Sequence, residues 1–349
     1  MSSSPPASSS LSLLFSMFSL ACTPSFPDVT WMGDYLHVAQ EATGLVCEGS
    51  NPYQDRYVAR LAELLDVALD EPIRFAYIER EEIETYCFQE DFWGCYYDDR
   101  AYSIFPVLTH ELAHAVADRA GWQGTRVFVE GFAEAFGSNN KTDVERVPIR
   151  DVVERFTFNL DNYYTAGLFV RFLVEDYGLE NFAAFMRTTE RDADFAAVSI
   201  SFEAALGVPI ESAFDAFDAY PTCSAWANQV ASVECGQEPS PWGPDGLDIT
   251  VALDCEEDTT VGPNNDEMSS SRSLEITEDG TYELAVSSTS DKTSGIRLSH
   301  CGDCREAFDE IVLADTSRTF DLSAGRYFAL FVTDVGQPAD VTLKLSKTP

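Results

Sequence analysis

Two repeats of apolar residues divide this chain. Between residues 57 and 217 apolar positions recur every three to four residues, the spacing of helices that bury one face; from Ile249 onward they alternate, the spacing of strands. The helical half starts after Cys47 with a helix through Tyr57, Leu61, Leu64, Leu65, Val67 and Leu69. Residues 74–78 then read as a strand, and 93–104 contain an edge strand. In the helix that follows, Pro106 suits the first turn, Val107, Leu108, Leu112, Ala113, Val116 and Ala117 are apolar, and Gly121 ends the run. Residues 128–137 predict another helix, with Phe128, Phe132 and Phe136 on one face and Glu130 and Glu134 on another. Residues 162–174 predict an amphipathic helix closed by Gly178. Beyond it Leu173, Tyr177, Phe182, Phe185, Met186, Phe202, Leu206, Ile210, Phe214 and Phe217 predict further helices whose apolar residues are core.

The alternating half carries Ile249, Val251 and Leu253; Tyr282, Leu284 and Val286; Ile296 and Leu298; Phe320 and Leu322; and Val341, Leu343 and Leu345. With residues 274–276, 311–313 and 327–332 they predict about eight short strands broken by Gly, Asn, Asp and Ser, the pattern of a β-sandwich. Residues 236–246, with Pro239, Pro241 and Pro244, read as a linker. The expected class is α+β: a mostly helical domain over residues 28–235 with a small sheet that exposes an edge strand, then an all-β sandwich over 247–349.

The chemistry concentrates in His110-Glu111-Leu112-Ala113-His114. On a helix this spacing sets both imidazoles one turn apart on one face, a metal-ligand geometry best matched to zinc, and puts Glu111 where a carboxylate can take a proton from a metal-activated water. The chain has only four histidines, so chance is a poor explanation of the spacing. The competing reading, two partly exposed histidines beside a surface glutamate, fits the apolar context badly. A catalytic zinc needs a third protein ligand. His37 and His300 lie near opposite ends of the chain, so the carboxylate of Glu130 is the stronger candidate.

HExxH followed by a short spacer and an EGxAE helix resembles the gluzincin metallopeptidases, whose zinc is held by two histidines and a downstream glutamate. The resemblance implies a thermolysin-like catalytic fold and a role for Glu134 in orienting a ligating histidine, against the plainer alternative of a solvated acid. Tyr164 and Gly167 resemble the family's Tyr-x-x-Gly helix, which implies that Tyr164 donates a hydrogen bond to the oxyanion; Tyr163 is an equal candidate for that position. The family's aminopeptidases carry Asn where this chain has Val129, and their Gly-x-Met-Glu-Asn segment is not found here. An endopeptidase is therefore expected, with an extended substrate adding to the edge strand. The last hundred or so residues resemble the bacterial pre-peptidase C-terminal domain, on Gly280-Thr281-Tyr282, on residues 322–327 and on the closing strand.

Composition narrows the partners. A net charge of −37, from 59 acidic and 22 basic residues, repels nucleic acid and anionic lipid, so a peptide or protein is the expected partner. The acid-rich run 254–267 lacks the spacing of a calcium loop and reads as solvated. Residues 11–21 are mostly apolar and too short to span a bilayer, and Cys22 follows Ser19-Leu20-Ala21 much as in a bacterial lipoprotein cleavage site. Residues 1–22 are thus an export segment, with Cys22 the site of a lipid anchor and the one expected membrane contact. Nine cysteines less Cys22 leave Cys47, Cys87, Cys95, Cys223, Cys235, Cys255, Cys301 and Cys304, an even set for disulfides. Short loops favour Cys87 with Cys95 and Cys223 with Cys235, and place Cys255 with the Cys301 region. The chain reads as an exported zinc metallopeptidase; its rival is a catalytically silent or very narrow-specificity surface-binding lipoprotein that keeps the metallopeptidase fold.

Overall fold

The computed structural model describes residues 25–88, 92–137, 145–223, 233–264, 266–290, 293–302, 304–306 and 308–348. Residues 1–22, and with them Cys22, lie outside the described residues. The protein is α+β. In chain order the first half runs β1 (Trp31–Met32), β2 (Leu36–Gln40), α1 (Ser50–Leu64), β3 (Ile73–Tyr77), α2 (Ile83–Cys87), β4 (Gly94–Tyr97), β5 (Arg100–Ser103), α3 (Thr109–Arg119), α4 (Arg126–Gly137), α5 (Ile149–Glu154), α6 (Leu160–Tyr177), α7 (Leu179–Thr188), α8 (Phe195–Leu206) and α9 (Ile210–Asp218). The second half holds β6 (Leu247–Leu253), β7 (Val261–Asn264), β8 (Glu267–Ile276), β9 (Gly280–Ser288), β10 (Ser294–His300), β11 (Asp309–Leu313), β12 (Thr316–Leu322), β13 (Gly325–Asp334) and β14 (Ala339–Lys347).

The first sheet has the order β1-β2-β3-β5-β4. Its centre, β2, β3 and β5, is parallel, so α1 serves as the crossover between β2 and β3. The outermost strand β4 is antiparallel to β5, joined by a two-residue turn in which Asp98 and Asp99 both have positive φ, 50° and 61°. One face of the sheet packs Ile73 and Phe75 against the helices. The other packs Ala76, Ile78 and Tyr102 against α2, where the Cys87–Cys95 disulfide ties α2 to β4.

Phenylalanines dominate the helical core: Phe128 and Phe132 of α4, Phe169 and Phe172 of α6, Phe182 and Phe185 of α7, Phe202 and Phe217 are fully buried. Helix α4 lies close against α6, because a Cβ at Gly131 would come within 2.6 Å of the Ala166 carbonyl oxygen and one at Gly167 within 2.8 Å of the Glu134 Cβ. The start of α3 differs from expectation. The helix begins at Thr109 instead of near Pro106, since the Gln54 side chain donates to the Pro106 carbonyl and accepts from the Leu108 N–H, groups that a first helical turn would use. Gly121, at φ 73°, terminates it as the pattern predicts.

The second half is a sandwich of two antiparallel sheets, β11-β10-β13-β8-β7 and β12-β9-β14-β6. Their facing sides share one core that includes Leu274, Ile296 and Phe331 from one sheet and Leu284, Val341 and Leu343 from the other. The strand not foreseen is β7; its Val-Gly-Pro-Asn sequence shows no alternation, and its proline is tolerated because β7 is an edge.

Two of the expected cysteine pairings are corrected. Cys223 bonds Cys304, Cys235 bonds Cys301, and Cys255 bonds Cys47. Short loops misled because the two halves pack together, so cysteines distant in sequence meet at their junction. There the Ser50 hydroxyl donates to the Gly262 carbonyl and accepts from the Gly262 N–H. The half-buried Glu175 carboxylate accepts from Arg171 on its own helix, from the Tyr220 hydroxyl and from the Cys304 N–H. Segment 236–246 is pinned as well: the Ser240 N–H donates to the Ser273 carbonyl and the Trp242 indole to the Glu275 carbonyl.

Chain separation across a disulfide sets how much unfolded-state freedom it removes. Cys47–Cys255 spans 208 positions and Cys87–Cys95 only 8. Replacing both members of Cys47–Cys255 with serine should therefore cost about 2–5 kcal/mol and more than the same change at Cys87–Cys95, read from denaturant midpoints; equal midpoints would refute the ordering.

Candidate metal centre

Two antiparallel helices build the site. The start of α3 abuts the end of α4: the Thr109 hydroxyl donates to the Gly137 carbonyl at 2.8 Å, and a Cβ on Gly137 would sit 2.5 Å from the Thr109 carbonyl oxygen. From that anchor the pairing runs backward along α4, bringing Glu134 to His110 and Glu130 to both His110 and His114. His110 Nε2 lies 3.2 Å from His114 Nε2 and 3.3 Å from Glu130 Oε2, and His114 Nε2 lies 3.2 Å from the same oxygen.

This triangle can be tested against a metal. Zinc holds nitrogen and carboxylate oxygen at about 2.0–2.2 Å, so adjacent corners of a tetrahedron lie about 3.3–3.5 Å apart. The observed edges are close to that value. Among the described residues His110, His114 and Glu130 form the one group of three His, Cys, Asp or Glu side chains that could hold a metal ion. His37 and His300 are not part of it.

Around the triangle the remaining groups have separate tasks. Glu134 Oε1 sits 3.2 Å from His110 Nδ1, so it fixes the ring with Nε2 turned inward. Burial disfavours the charged form of His110, yet its contacts to Glu130 and Glu134 outweigh that and hold its pKa well above the usual imidazole range. Burial pushes Glu130 the other way from the two imidazoles, which prevail and depress it far below an ordinary carboxyl. A divalent cation at the centre of the triangle satisfies the same carboxylate with the imidazoles neutral. Glu111 is buried, and burial raises its pKa against the pull of His110 and His114. Strand β4 runs directly beside it, since a Cβ on Gly94 would come within 3.0 Å of Glu111 Cγ.

The two candidate tyrosines part company. The Tyr163 ring lies 6.0 Å from the His110 ring, and its phenol is raised in pKa by burial and then by Glu130, Glu111 and Glu134. Tyr164 is buried on another face of α6, near the Arg146 guanidinium. The phenol beside the metal ligands is thus that of Tyr163, not Tyr164. Gly167, which packs on Glu134, follows Tyr163 by four residues and Tyr164 by three, so its spacing does not choose between them.

No protein-family model matches the chain, and no curated protein sequence does. Among solved structures, the pre-peptidase C-terminal domain of collagenase from Bacillus anthracis is similar at 14% identity and a TM-score of 0.22, over 31% of this chain and 100% of its own. The Yersinia pseudotuberculosis-derived mitogen is similar at 9% identity and a TM-score of 0.22, over 30% of this chain and 87% of its own. The hydroxypropylphosphonic acid epoxidase from S. wedmorenis is similar at 10% identity and a TM-score of 0.12, over 51% of this chain and 96% of its own. At such TM-scores none of them bears on the site's chemistry.

Elemental analysis of the purified protein should find one divalent ion per chain. Glu130→Ala should abolish it, and Glu134→Ala should weaken it by about 10–100-fold while leaving the stoichiometry intact. Full occupancy in Glu130→Ala would remove Glu130 as a ligand.

Proposed function

We propose that this chain is an exported zinc peptidase of gluzincin type, cutting peptide bonds within polypeptides. The supporting observation is the convergence of His110 Nε2, His114 Nε2 and Glu130 Oε2 within 3.2–3.3 Å of one another, with Glu111 on the same helix as the imidazoles. Zinc bound there would polarise the scissile carbonyl and lower the pKa of its water to about 7. Glu111 would serve as the base, taking a proton from a water at the site and returning it to the leaving amine. Tyr163, whose raised pKa keeps the phenol protonated, donates to the oxygen on which charge develops. Strand β4 is the outer strand of its sheet and passes beside Glu111, so an extended substrate pairing with it would lay its backbone across the metal. The sheet edge and helices in this arrangement suit a thermolysin-like catalytic half.

Export is supported by four disulfides, a pattern of oxidising compartments, together with the apolar run at residues 11–21. Cys22 is the attachment point for lipid on this reading. The charge of −37 leaves peptides or proteins as the substrates, with no nucleic acid.

The decisive variant is Glu111→Gln. It should keep its metal while kcat/KM on a generic peptide library falls by about 10²–10⁴-fold. Tyr163→Phe should lower kcat by about 10²-fold, whereas Tyr164→Phe should leave kcat unchanged. Zinc-loaded wild type that cuts nothing would instead identify a binding protein that retains the site without turnover.

A further inference from the structure

We propose that Arg126, stacked on Phe158 beside the metal centre, is a specificity-determining residue that holds a carboxylate of the bound peptide. The proposal rests on the peptidase reading above. Arg126 opens α4 and precedes Glu130 by one turn on the same helix face. Its guanidinium carbon lies 4.6 Å from the centre of the Phe158 ring, which is 6.1 Å from the Tyr163 ring, itself 6.0 Å from His110. Its charge acts on the Tyr163 phenol, opposing the effect of burial and of the three glutamates. A chain of contacts therefore leads from the metal ligands to this one cation.

Many other arginines of this half are committed to acids. Arg60, Arg119, Arg146, Arg150, Arg155 and Arg171 of the same half each face an acidic side chain. Arg126 is exposed, and among the described residues its one recorded partner is the Phe158 ring. In a chain with 59 acidic residues against 22 basic ones, an exposed guanidinium one turn from Glu130 that makes no ion pair with another described residue is positioned for an incoming anion. The first turn of α4 also lacks an acidic residue, so the positive end of the helix adds to the guanidinium. Contact with the Phe158 ring restrains a guanidinium, whose planar fork of donors can grip a carboxylate with two hydrogen bonds. One helical turn is about 5.4 Å and an extended peptide advances about 3.3 Å per residue, so the carboxylate falls about two residues from the cut bond. It belongs either to the C-terminus of a short peptide or to an Asp or Glu side chain of a longer one.

Matched peptides test both sources on the intact zinc-loaded protein. One pair ends in a free acid or an amide; the other carries Asp or Asn two residues from the cut bond. Wild type should favour the acid in one pair by about tenfold in kcat/KM, mainly through KM, and the preference should shrink as salt rises. R126Q should bring that ratio close to unity, and R126K should restore part of it. A wild-type ratio near unity in both pairs, or a ratio untouched by R126Q, overturns the proposal. Should no peptide be cut, the peptidase reading fails by itself, and fluorescence anisotropy with the same labelled peptides decides on Arg126: an acid preference abolished by R126Q supports it, and equal binding of acid and neutral peptides refutes it.

Discussion

Everything at the metal centre depends on how closely three helices approach. Gly137 against the Thr109 carbonyl, Gly131 against the Ala166 carbonyl and Gly167 against Glu134 leave no room for a Cβ. One methyl at any of these contacts would force a backbone shift, at about 1–3 kcal/mol for an overpacked core. The energetic cost is secondary to the geometric one. Donor atoms 3.2–3.3 Å apart on separate helices tolerate only tenths of an ångström before a shared ion loses a corner. Glycines that bear no functional group thus set the register in which Glu130 and Glu134 meet the imidazoles.

What could be read beforehand followed the reach of local rules. Helix periodicity is a local property, so His110 and His114 on one face, the paired glutamates of α4 and the phenylalanine core were legible, and alternation revealed the sandwich strands with the exception of β7. Which face of α6 meets α4 is a tertiary fact; periodicity alone left Tyr163 and Tyr164 level. The start of α3 was misplaced for the same reason, since Gln54 reaches it from a helix more than fifty residues earlier. Cysteine partners lay furthest from view. Loop length ranks closures in the unfolded chain, whereas Cys47–Cys255, Cys223–Cys304 and Cys235–Cys301 are dictated by how two separately built halves abut.

That junction has a consequence for the helical half. Helix α6 presents Tyr163 at its start, and near its end Glu175 receives the Cys304 N–H while Arg171 donates to the Gly302 carbonyl. The helix that carries the phenol to the metal ligands is therefore clamped at its other end to the sandwich. A rigid rod fixed at both ends positions a donor more exactly than a loop would, which is what stabilising a short-lived charge requires. The sandwich contributes to the site in this way without touching it.

The cluster is electrostatically costly to assemble without a cation. Glu111 and Glu134 are 7% and 8% exposed, and Glu130 lies between them beside two imidazoles. Three carboxylates packed this tightly repel one another, and each loses hydration that its neighbours cannot replace. With neutral imidazoles the group carries three negative charges; a divalent cation held by His110, His114 and Glu130 would reduce the excess to one. Apolar residues of similar volume would pack the same space at lower cost. The persistence of every polar member, including Glu134, whose Oε2 is buried without a partner, follows if the cation and the proton transfer are the reason the cluster exists.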